Sequence, residues 1–383
     1  MPRLLHIVLN DYANDNRVRR AAECGRDLGF DVTVFAMSGP GLPSDGVESG
    51  VAIRRFNLVS RPWSKSKPVQ VVKYLELYAR MLVAGIRLRP DVIHANDADG
   101  LPIGGSIAAV THARLLYDAH ELWADPTRNQ HTPRWLAKLQ ASGEWFFARR
   151  ADACITVSDS IAGALAERIG LEPVVVRNVP ERWSTAVERK LRKAANIPDG
   201  RTVVLFQGVV TGESPLLLAR AFRKIRGDVA LVFLGSGPAV EVIRAELADL
   251  SDRVHFLPFV PKEELPAYTS DADIGVHALA GGLLNHMWAL PNKLFEYIQG
   301  HLALVVSDLP EMARVVAEHG VGLTCRPGDV DSLAEKLQLV VSDRALRERF
   351  RSASARAAEQ MNWDVERLKL ERLYRGDFRS RRS

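Results

Sequence analysis

Short apolar stretches alternate with amphipathic segments along most of the chain. In the first half the apolar stretches are rich in β-branched residues and continuous, which is typical of strands in a parallel sheet covered by helices on both faces. Strands are predicted over residues 4–10, 31–36, 91–97, 114–120 and 151–158, and helices over about 15–28, 69–88 and 133–149. The first half is therefore predicted to be a doubly wound α/β domain.

The alternation stops near the middle of the chain and then restarts. Residues 177–200 are rich in charge, are bracketed by proline and lack a strand pattern. Beyond them, strands are predicted over 201–208, 229–235, 253–259, 272–278, 302–308 and 320–327, and helices over about 214–225, 238–249, 329–340 and 343–358. The pattern predicts two Rossmann-like domains over 1–177 and 201–360, a linker over 178–200, and a final helix with a tail over 361–383.

Composition narrows the class of protein and of ligand. A length of 383 residues fits two domains, and a net charge of +5 is mild. That charge suits anionic small molecules or an anionic membrane surface, and no nucleic-acid-binding motif accompanies it. The three cysteines lack metal-ligand spacing, which favours a reducing compartment. With no recognisable signal peptide and no apolar stretch of ~20 residues, a cytoplasmic location is expected, at most peripheral to a membrane.

Candidate catalytic residues follow the fourth predicted strand. In open α/β sheets, ligands bind beyond the carboxyl ends of the strands, so two such domains are expected to face each other across a cleft. Asp118, His120 and Glu121 place two acids and an imidazole at such a strand end. The alternative is an Asp that caps a turn and a His that binds only backbone groups.

Two further strand ends in the first half carry polar residues. After Asn96, the residues Asp97 and Asp99 form an Asp-x-Asp that could ligate a divalent metal, although Asp99 equally suits a helix N-cap. Asn10, Asp11 and Arg17 follow the first strand, where the absence of Gly-x-Gly-x-x-Gly argues against a dinucleotide site. Of that segment's cations, Arg17 lies nearest the strand end and is the one expected to reach an anionic ligand.

Glycines follow two strands of the second half. Gly208 and Thr211 belong to "FQGVVTGES", and Gly235 and Gly237 belong to "LGSGP". Small residues at such places let the backbone approach a ligand and expose N–H groups to phosphate. Glycines after strands are also common turn residues, so each segment alone is a weak signal.

The segment "LPNKLFEYIQG", residues 290–300, combines features of an anion site. Pro291 suits a helix start, where the N–H groups of Asn292, Lys293 and Leu294 lack intrahelical partners and the helix dipole favours an anion. Lys293 adds a full charge, and Glu296, one turn later, could accept two ribose hydroxyls. Gly300 is expected to close the helix. The alternative is a core helix with a solvated Lys–Glu face.

Together these stretches resemble the GT-B class of nucleotide-sugar glycosyltransferases, in particular the large retaining family of bacterial cell-surface and natural-product transferases. The resemblance covers nearly the whole chain and is most specific in "LPNKLFEYIQGHLALVVSDLPE". It implies that the final helix crosses back to the first domain. The implied donor-side roles are ribose binding by Glu296, diphosphate binding by the N–H groups at 292–294, and nucleobase contact near 235–237.

The resemblance also assigns roles in the first domain and a reaction. His120 would face the transferred sugar, and the acceptor-side residues would be Asn10, Asp11, Arg17, Asn96 and Asp97. The implied reaction retains the sugar configuration without a protein nucleophile. Neither a metal nor a cofactor is expected, and the acceptor would be a glycan, a lipid-linked molecule or a small molecule.

Two positions depart from the family pattern. Trp288 stands where many members have a second Glu, and "VVTGESPL" lacks the cation that usually follows the first strand of the second domain. Lys293 is expected to compensate for the missing cation.

Two other functions share this architecture. A nucleotide-sugar 2-epimerase needs several carboxylates, which the second half hardly supplies outside Glu296 and Glu311, and a non-catalytic scaffold is favoured by the two departures.

Two segments are candidates for membrane contact. Residues 133–150 place apolar side chains near one face with basic residues around it, namely Trp135, Leu136, Leu139, Phe146 and Phe147. Such a helix could rest on an anionic bilayer or pack on its own sheet. The loop over 60–68 carries Trp63, Lys65 and Lys67, a composition that suits a lipid-phosphate acceptor or a solvated loop.

Overall fold

The structure is a computed structural model that describes residues 1–64, 66–122, 134–184, 188–282, 284–288 and 290–377, without the side chains of residues 67, 134–140, 285 and 286. The chain divides into two compact units. The first comprises Met1–Arg177 and Arg367–Ser383, and the second comprises Asn178–Glu366.

The first unit is built on a mostly parallel sheet. Its strands are β1 (Arg3–Ile7), β2 (Asp31–Met37), β3 (Asp45–Glu48), β4 (Val51–Phe56), β5 (Val92–Asn96), β6 (Arg114–Ala119), β7 (Ala153–Thr156) and β8 (Val174–Val175). Its helices are α1 (Asn16–Asp27), α2 (Lys67–Leu88), α3 (Asp97–Thr111), α4 (Arg134–Ala148) and α5 (Asp159–Ile169). The strand order is β3-β4-β2-β1-β5-β6-β7-β8, and β3 pairs antiparallel with β4.

The central strands are buried, as their continuous apolar patterns predict. Leu4, Leu5 and Ile7 of β1 are wholly buried. The hairpin of β3 and β4 is not predicted from the sequence, because "VAIRRF" alternates between buried and exposed positions and carries two arginines. That pattern is typical of a strand with one face exposed to solvent. It predicts a strand less clearly than a continuous apolar run does.

The second unit contains a fully parallel sheet. Its strands are β9 (Thr202–Gln207), β10 (Val229–Leu234), β11 (Val254–Leu257), β12 (Ile274–His277), β13 (Ala303–Ser307) and β14 (Gly322–Cys325). Its helices are α6 (Leu191–Ala194), α7 (Glu213–Phe222), α8 (Val240–Glu246), α9 (Leu265–Thr269), α10 (Leu284–Met287), α11 (Asn292–Gln299), α12 (Pro310–His319), α13 (Val330–Ser342) and α14 (Arg344–Ala358). The order β11-β10-β9-β12-β13-β14 reverses direction between β9 and β12. Such a reversal is where open α/β sheets bind ligands.

Two segments connect these units in sequence. Residues 178–200, predicted as a linker, belong to the second unit, where Val179, Leu191 and Ile197 are buried in the core. The last helix, α15 (Trp363–Tyr374), contains residue 367, at which the chain rejoins the first unit. The predicted fold class, two parallel-sheet Rossmann-like domains, is confirmed.

Helix α4 packs through one of its two phenylalanines. Phe147 fills the space beside Gly105 of α3, since a Cβ at Gly105 would lie 2.3 Å from the Phe147 ring. Phe146 is 51% exposed, and the Arg150 guanidinium lies 3.6 Å from its ring centroid. The side chains of residues 134–140, including Trp135, lie outside the described part. In the described residues, no helix has both the length and the apolar character that spanning a membrane demands.

Candidate functional site

Asp118 lies at the carboxyl end of β6 and is held by Arg17. Asp118 is 1% exposed and Arg17 is 8% exposed. Arg17 Nε and Nη2 donate to the two carboxylate oxygens at 2.8 and 2.6 Å, and Nη1 donates to the Val176 carbonyl at 2.7 Å. Burial opposes the charge of Asp118, but Arg17 outweighs it and holds the pKa of Asp118 well below 3.8. Arg17, expected to reach an anionic ligand, is therefore buried and positions Asp118.

His120 lies between two carboxylates. Its Nδ1 is 3.1 Å from Asp97 Oδ2, and its Nε2 is 3.2 Å from Asp118 Oδ2, close enough for charge attraction but outside hydrogen-bond geometry. Burial lowers the pKa of His120, but Asp118 and Asp97 outweigh burial and raise that pKa from 6.5 to about 10. At neutral pH His120 is therefore an imidazolium, which can donate a hydrogen bond but cannot accept a proton.

Asp97, which contacts His120, has a strained backbone conformation. Its φ of +59° lies in the left-handed region, which costs a non-glycine residue ~1–3 kcal/mol. Asp97 Oδ1 accepts the backbone N–H of His120 at 3.3 Å. Both of its oxygens thus serve His120, and the Asp99 carbonyl accepts the Tyr74 hydroxyl at 3.0 Å. In the described part of the chain, no group of three or more His, Cys, Asp or Glu side chains is arranged to hold a metal ion.

A buried cluster of His6, His94 and Tyr374 lies behind Asp118. His94 Nε2 is 3.3 Å from Asp118 Oδ2, and His94 Nδ1 is 2.7 Å from the Tyr374 hydroxyl. The same hydroxyl is 3.3 Å from His6 Nε2, and the two imidazoles stack with centroids 4.6 Å apart. Burial lowers the pKa of both histidines, so they are neutral. Sequence reasoning missed this cluster, although a His inside each of two apolar strands was an available signal.

Removing the Tyr374 hydroxyl is expected to lower stability. In Tyr374→Phe, His94 Nδ1 loses its 2.7 Å partner in a fully buried environment. An unsatisfied buried polar atom costs ~1–3 kcal/mol, which corresponds to a fall in Tm of roughly 2–12 °C. Thermal unfolding measures the change.

Tyr78→Phe is the matched control for that variant. Its hydroxyl also makes a short hydrogen bond, 2.6 Å to Ser106 Oγ, but in a part-buried environment where water can replace it. Equal Tm values for the two variants would show that the hydroxyl of Tyr374 is not needed by the buried cluster.

The other candidates of the first unit shape its loops. Asn10 accepts the Tyr12 N–H at 2.8 Å, and Asp11 accepts the Ala13 N–H at 3.1 Å, so both fold the turn between β1 and α1. Asn96 is wholly buried and donates to the Ile7 carbonyl at 3.0 Å. Glu121 is exposed next to His120. The structure thus brings together Asp118, His120 and Asp97 with Arg17, and places Asn10 and Asp11 in structural turns.

In the second unit, Lys293 lies over the loop that follows β9. Pro291 is the N-cap of α11, and no side chain of the described residues caps this helix. The Lys293 ammonium is 4.3 Å from the ring centroid of Phe206, and a Cβ on Gly208 would lie 3.4 Å from it. Burial lowers the pKa of Lys293 from 10.5 to about 8, although Glu296 opposes the shift. A cation therefore lies beside the post-β9 loop, supplied by α11.

Glu296 belongs to a polar group at the carboxyl end of β9. It accepts a hydrogen bond from Gln207 Nε2, and Gln207 Oε1 accepts the Thr269 hydroxyl at 2.8 Å. The Tyr297 hydroxyl accepts the Gln207 N–H at 3.1 Å, and its ring occupies the space left by Gly275. These contacts orient the Glu296 carboxylate at the reversal point between β9 and β12.

The glycines after β9 and β10 allow two loops to lie in backbone contact. A Cβ on Gly235 would lie 2.0 Å from the Gly208 carbonyl oxygen, and one on Gly237 would lie 2.3 Å from the Val210 carbonyl oxygen. Gly235 also has a φ of +144°. The loops join through the Val210 N–H, which donates to the Ser236 carbonyl at 3.0 Å, while Thr211 is exposed beyond this junction. Close packing thus accounts for both glycines.

Two details of the 284–301 region differ from the sequence pattern. Gly300 does follow α11, but its φ is −77°, and the left-handed residue is His301 with a φ of +57°. Tight packing favours glycine at position 300, because a Cβ would lie 3.0 Å from the side chains of Leu302 and Thr269. Trp288, which stands at the position of the missing Glu, is half-buried directly after α10.

Comparison with known proteins identifies the family of this chain and solved structures that share its fold. Residues 15–181 match the family model described as a glycosyl transferase 4-like domain, and residues 187–357 match the model of glycosyl transferases group 1. The sulfoquinovosyl transferase of Arabidopsis thaliana is 24% identical over 93% of this chain and 69% of its own. A phosphatidyl-myo-inositol mannosyltransferase of Mycobacterium leprae is 29% identical, but the alignment spans only 38% of either protein.

Two solved structures share the architecture over nearly the whole chain. Sucrose-phosphate synthase of Thermosynechococcus elongatus has a TM-score of 0.80 at 18% identity and covers 99% of both chains. HepE of Anabaena, solved in complex with UDP, has a TM-score of 0.73 at 16% identity and covers 98% of this chain and 99% of its own.

Proposed function

The chain belongs to the GT-B glycosyltransferases, and from this premise we propose that it transfers a sugar from a nucleoside-diphosphate sugar to an acceptor hydroxyl with retention of configuration. The observation that carries the proposal is the presence of both Lys293 and Glu296 on the first turns of α11. This helix follows the strand reversal of the second unit, where α/β sheets hold nucleotides. HepE, which shares the fold, was solved with UDP.

The donor diphosphate is proposed to bind at the start of α11. The N–H groups of the first helical turn and the helix dipole attract an anion, and the Lys293 ammonium adds a full charge beside Gly208. Glu296, oriented by Gln207, is proposed to accept the two ribose hydroxyls. The position of Lys293 supports the expectation that it replaces the cation missing from "VVTGESPL".

The first unit is proposed to act on the transferred sugar through His120. As an imidazolium, His120 can donate a hydrogen bond, and its side chain is 20% exposed at the carboxyl end of β6. A proton acceptor at this place is not supported, because the pKa of about 10 keeps the ring charged. The base for the acceptor hydroxyl is then proposed to be the departing diphosphate itself.

In this mechanism the bond between the sugar and the diphosphate breaks while the acceptor hydroxyl attacks from the same face. The hydroxyl proton passes to a diphosphate oxygen, so no protein nucleophile is needed. Developing charge on the leaving group is stabilised by Lys293 and the α11 N–H groups, which is the electrostatic role that a metal ion plays elsewhere. We therefore propose that the reaction is metal-independent.

A cavity of the first unit supports a lipid-linked acceptor. It measures about 360 Å³, has apolar walls that include Met37, Phe56 and Leu77, and carries Arg61 and Lys73. This combination suits an apolar chain next to an anionic group.

The helix beside this cavity supports a peripheral membrane contact. Trp63 in the loop before α2 is 53% exposed, and Val71 and Leu75 in the first half of α2 are 46% and 57% exposed. Exposed apolar side chains next to basic residues are typical of surfaces that rest on anionic lipid. Lys65 and the side chain of Lys67 lie outside the described residues.

A donor panel tests the proposed function. The full chain is incubated with UDP-, GDP-, TDP- and ADP-sugars and with lipid-phosphate, glycan and small-molecule acceptors, and products are separated by mass spectrometry. Glycoside formation without added metal is the expected result. A free epimerised sugar would instead identify a 2-epimerase, and binding without turnover in any combination would favour the scaffold.

Nucleotide affinity is expected to depend on pH through Lys293. Because its pKa is about 8, the ammonium is charged below that pH and neutral above it. The Kd for the nucleoside diphosphate should rise about tenfold between pH 7 and pH 9.5, where the diphosphate itself no longer titrates. Calorimetric titration across this range measures the change.

Lys293→Met should bind weakly at pH 7 and lose the pH dependence. Lys262→Met, the same substitution at an exposed position of the second unit, should behave as the native protein does. A pH profile that survives in Lys293→Met would assign the titration to another group.

A further inference from the structure

A basic cavity lies at the edge of the second sheet opposite to the α11 site. It measures about 840 Å³ and is formed by residues of the segment 189–202, which includes α6 and the start of β9, by Asp271 and Asp273 just before β12, and by the start of α14. The donor-binding candidates lie at the carboxyl ends of these strands, whereas this cavity lies at their amino ends. The two places are therefore distinct parts of the same unit.

The charges of the cavity do not cancel. Six basic and four acidic residues line it, and the basic ones are Arg189, Arg192, Lys193, Arg201, Arg344 and Arg347. Arg192 and Arg351 neutralise Asp271 and Asp273 on its floor through ion pairs of 2.5 to 3.4 Å. Arg201 pairs with Asp228 outside the cavity at 2.7 Å. Four cations then face two remaining acids, Asp199 and Glu348.

Arg347 shows that the cavity is built rather than a loose surface cluster. It is 9% exposed, and its Nη1 donates to the carbonyls of Val340 and Val341 at 2.8 Å each, which fixes the guanidinium at the end of α13. Its buried Nε has no hydrogen-bond partner among the described residues. A buried guanidinium that forms no ion pair among the described residues carries an uncompensated charge, which an anion entering the cavity would neutralise.

Two exposed cations extend the site. Lys193 and Arg344 are exposed, and neither makes an ion pair within the described part of the chain. Arg344 is the first residue of α14, whose N-terminus is already capped by the Asp343 carboxylate, so the positive potential here comes from the basic side chains. Guanidinium groups arranged around a pocket are suited to phosphate oxygens.

We propose that this cavity binds a phosphorylated small molecule, separately from the donor site. Its volume exceeds what one phosphate needs, and its cations are contributed by three segments of the second unit. A ligand there would join the starts of β9 and β12 to α14 and so stabilise this unit. The chemistry recognised is a phosphate group with a polar body attached.

The test uses pyrophosphate as the probe on the full chain. Thermal unfolding is followed while pyrophosphate is titrated, and a saturable rise in Tm of about 5 °C or more is expected at a large excess over Kd. In Lys193→Ala/Arg344→Ala, both exposed positions, the midpoint of the titration should move at least tenfold higher. Arg349→Ala, exposed on the same helix but outside the cavity, should titrate as the native protein does.

Two further measurements distinguish binding in this cavity from binding at the donor site and from binding of a lipid headgroup. In Lys293→Met the rise in Tm should persist, because that residue is not part of the cavity. Absence of a saturable rise in the native protein, or an unchanged midpoint in the double variant, would overturn the proposal. Co-sedimentation with phosphatidylglycerol vesicles that is lost in the double variant, without any response to pyrophosphate, would refute a soluble ligand and assign the site to a lipid headgroup.

Discussion

Asp118→Asn is expected to unfold the first unit at a markedly lower temperature and to abolish most of the activity. The substitution leaves the buried guanidinium of Arg17 facing a neutral amide, and breaking a buried ion pair costs ~3–5 kcal/mol. For a unit of this size the Tm should fall by roughly 6–20 °C. His120 loses one of the two charges that raise its pKa, so its imidazolium is also less stable.

A double-mutant cycle separates the buried charge from other effects of that substitution. In Arg17→Met/Asp118→Asn the unpaired guanidinium is gone, and the double variant should be more stable than the sum of the single effects predicts, by ~1–3 kcal/mol. Thermal and denaturant unfolding of the four proteins provide the measurement. Strict additivity would mean that Arg17 and Asp118 do not depend on each other for stability.

Glu296→Gln is expected to weaken nucleotide binding by about a hundredfold or more. Hydrogen bonds to a charged partner contribute ~1.5–3 kcal/mol each, and a ribose offers two hydroxyls. The glutamine retains one oxygen that can accept from Gln207 Nε2, so the stability of the unit without nucleotide should change little. Isothermal titration with the preferred nucleoside diphosphate measures the loss.

The matched control is Glu241→Gln, the same change on α8, where the side chain is 83% exposed. It should leave both affinity and Tm unchanged. If Glu296→Gln binds as tightly as Glu241→Gln, the ribose role of Glu296 is wrong, whatever the enzyme's activity. If affinity falls but no donor gives product, the site binds nucleotide and the scaffold function gains support.

Much of the fold could be predicted because its signals are local. The strand predicted over 302–308 is observed as Ala303–Ser307, and the helix predicted over 343–358 as Arg344–Ala358. Continuous apolar runs identify buried parallel strands whatever their partners are. The alternating strand Val51–Phe56 was missed for the same reason, since two adjacent arginines, Arg54 exposed and Arg55 buried, interrupt the apolar run.

The candidate site could be predicted only in part. Strand ends identified His120 and Asp118, and a helix start identified Lys293 and Glu296. Nothing in the local pattern of Arg17 distinguished a buried partner of Asp118 from a solvated or ligand-binding cation. The sequence also did not show whether the pKa of His120 is raised or lowered, because that shift depends on where Asp97 and Asp118 lie in space.

The sequence by itself determined the alternation of strands and helices, the two-domain Rossmann-like class and the positions of candidate site residues. Those properties follow from periodicity, glycine and proline over a few neighbouring residues. Only the tertiary structure decided which charges meet. Arg17 and Asp118 are 101 positions apart, and His94 and Tyr374 are 280 apart. Such pairs are set by the packing of the whole unit, and burial then determines how strongly each partner shifts the other's pKa.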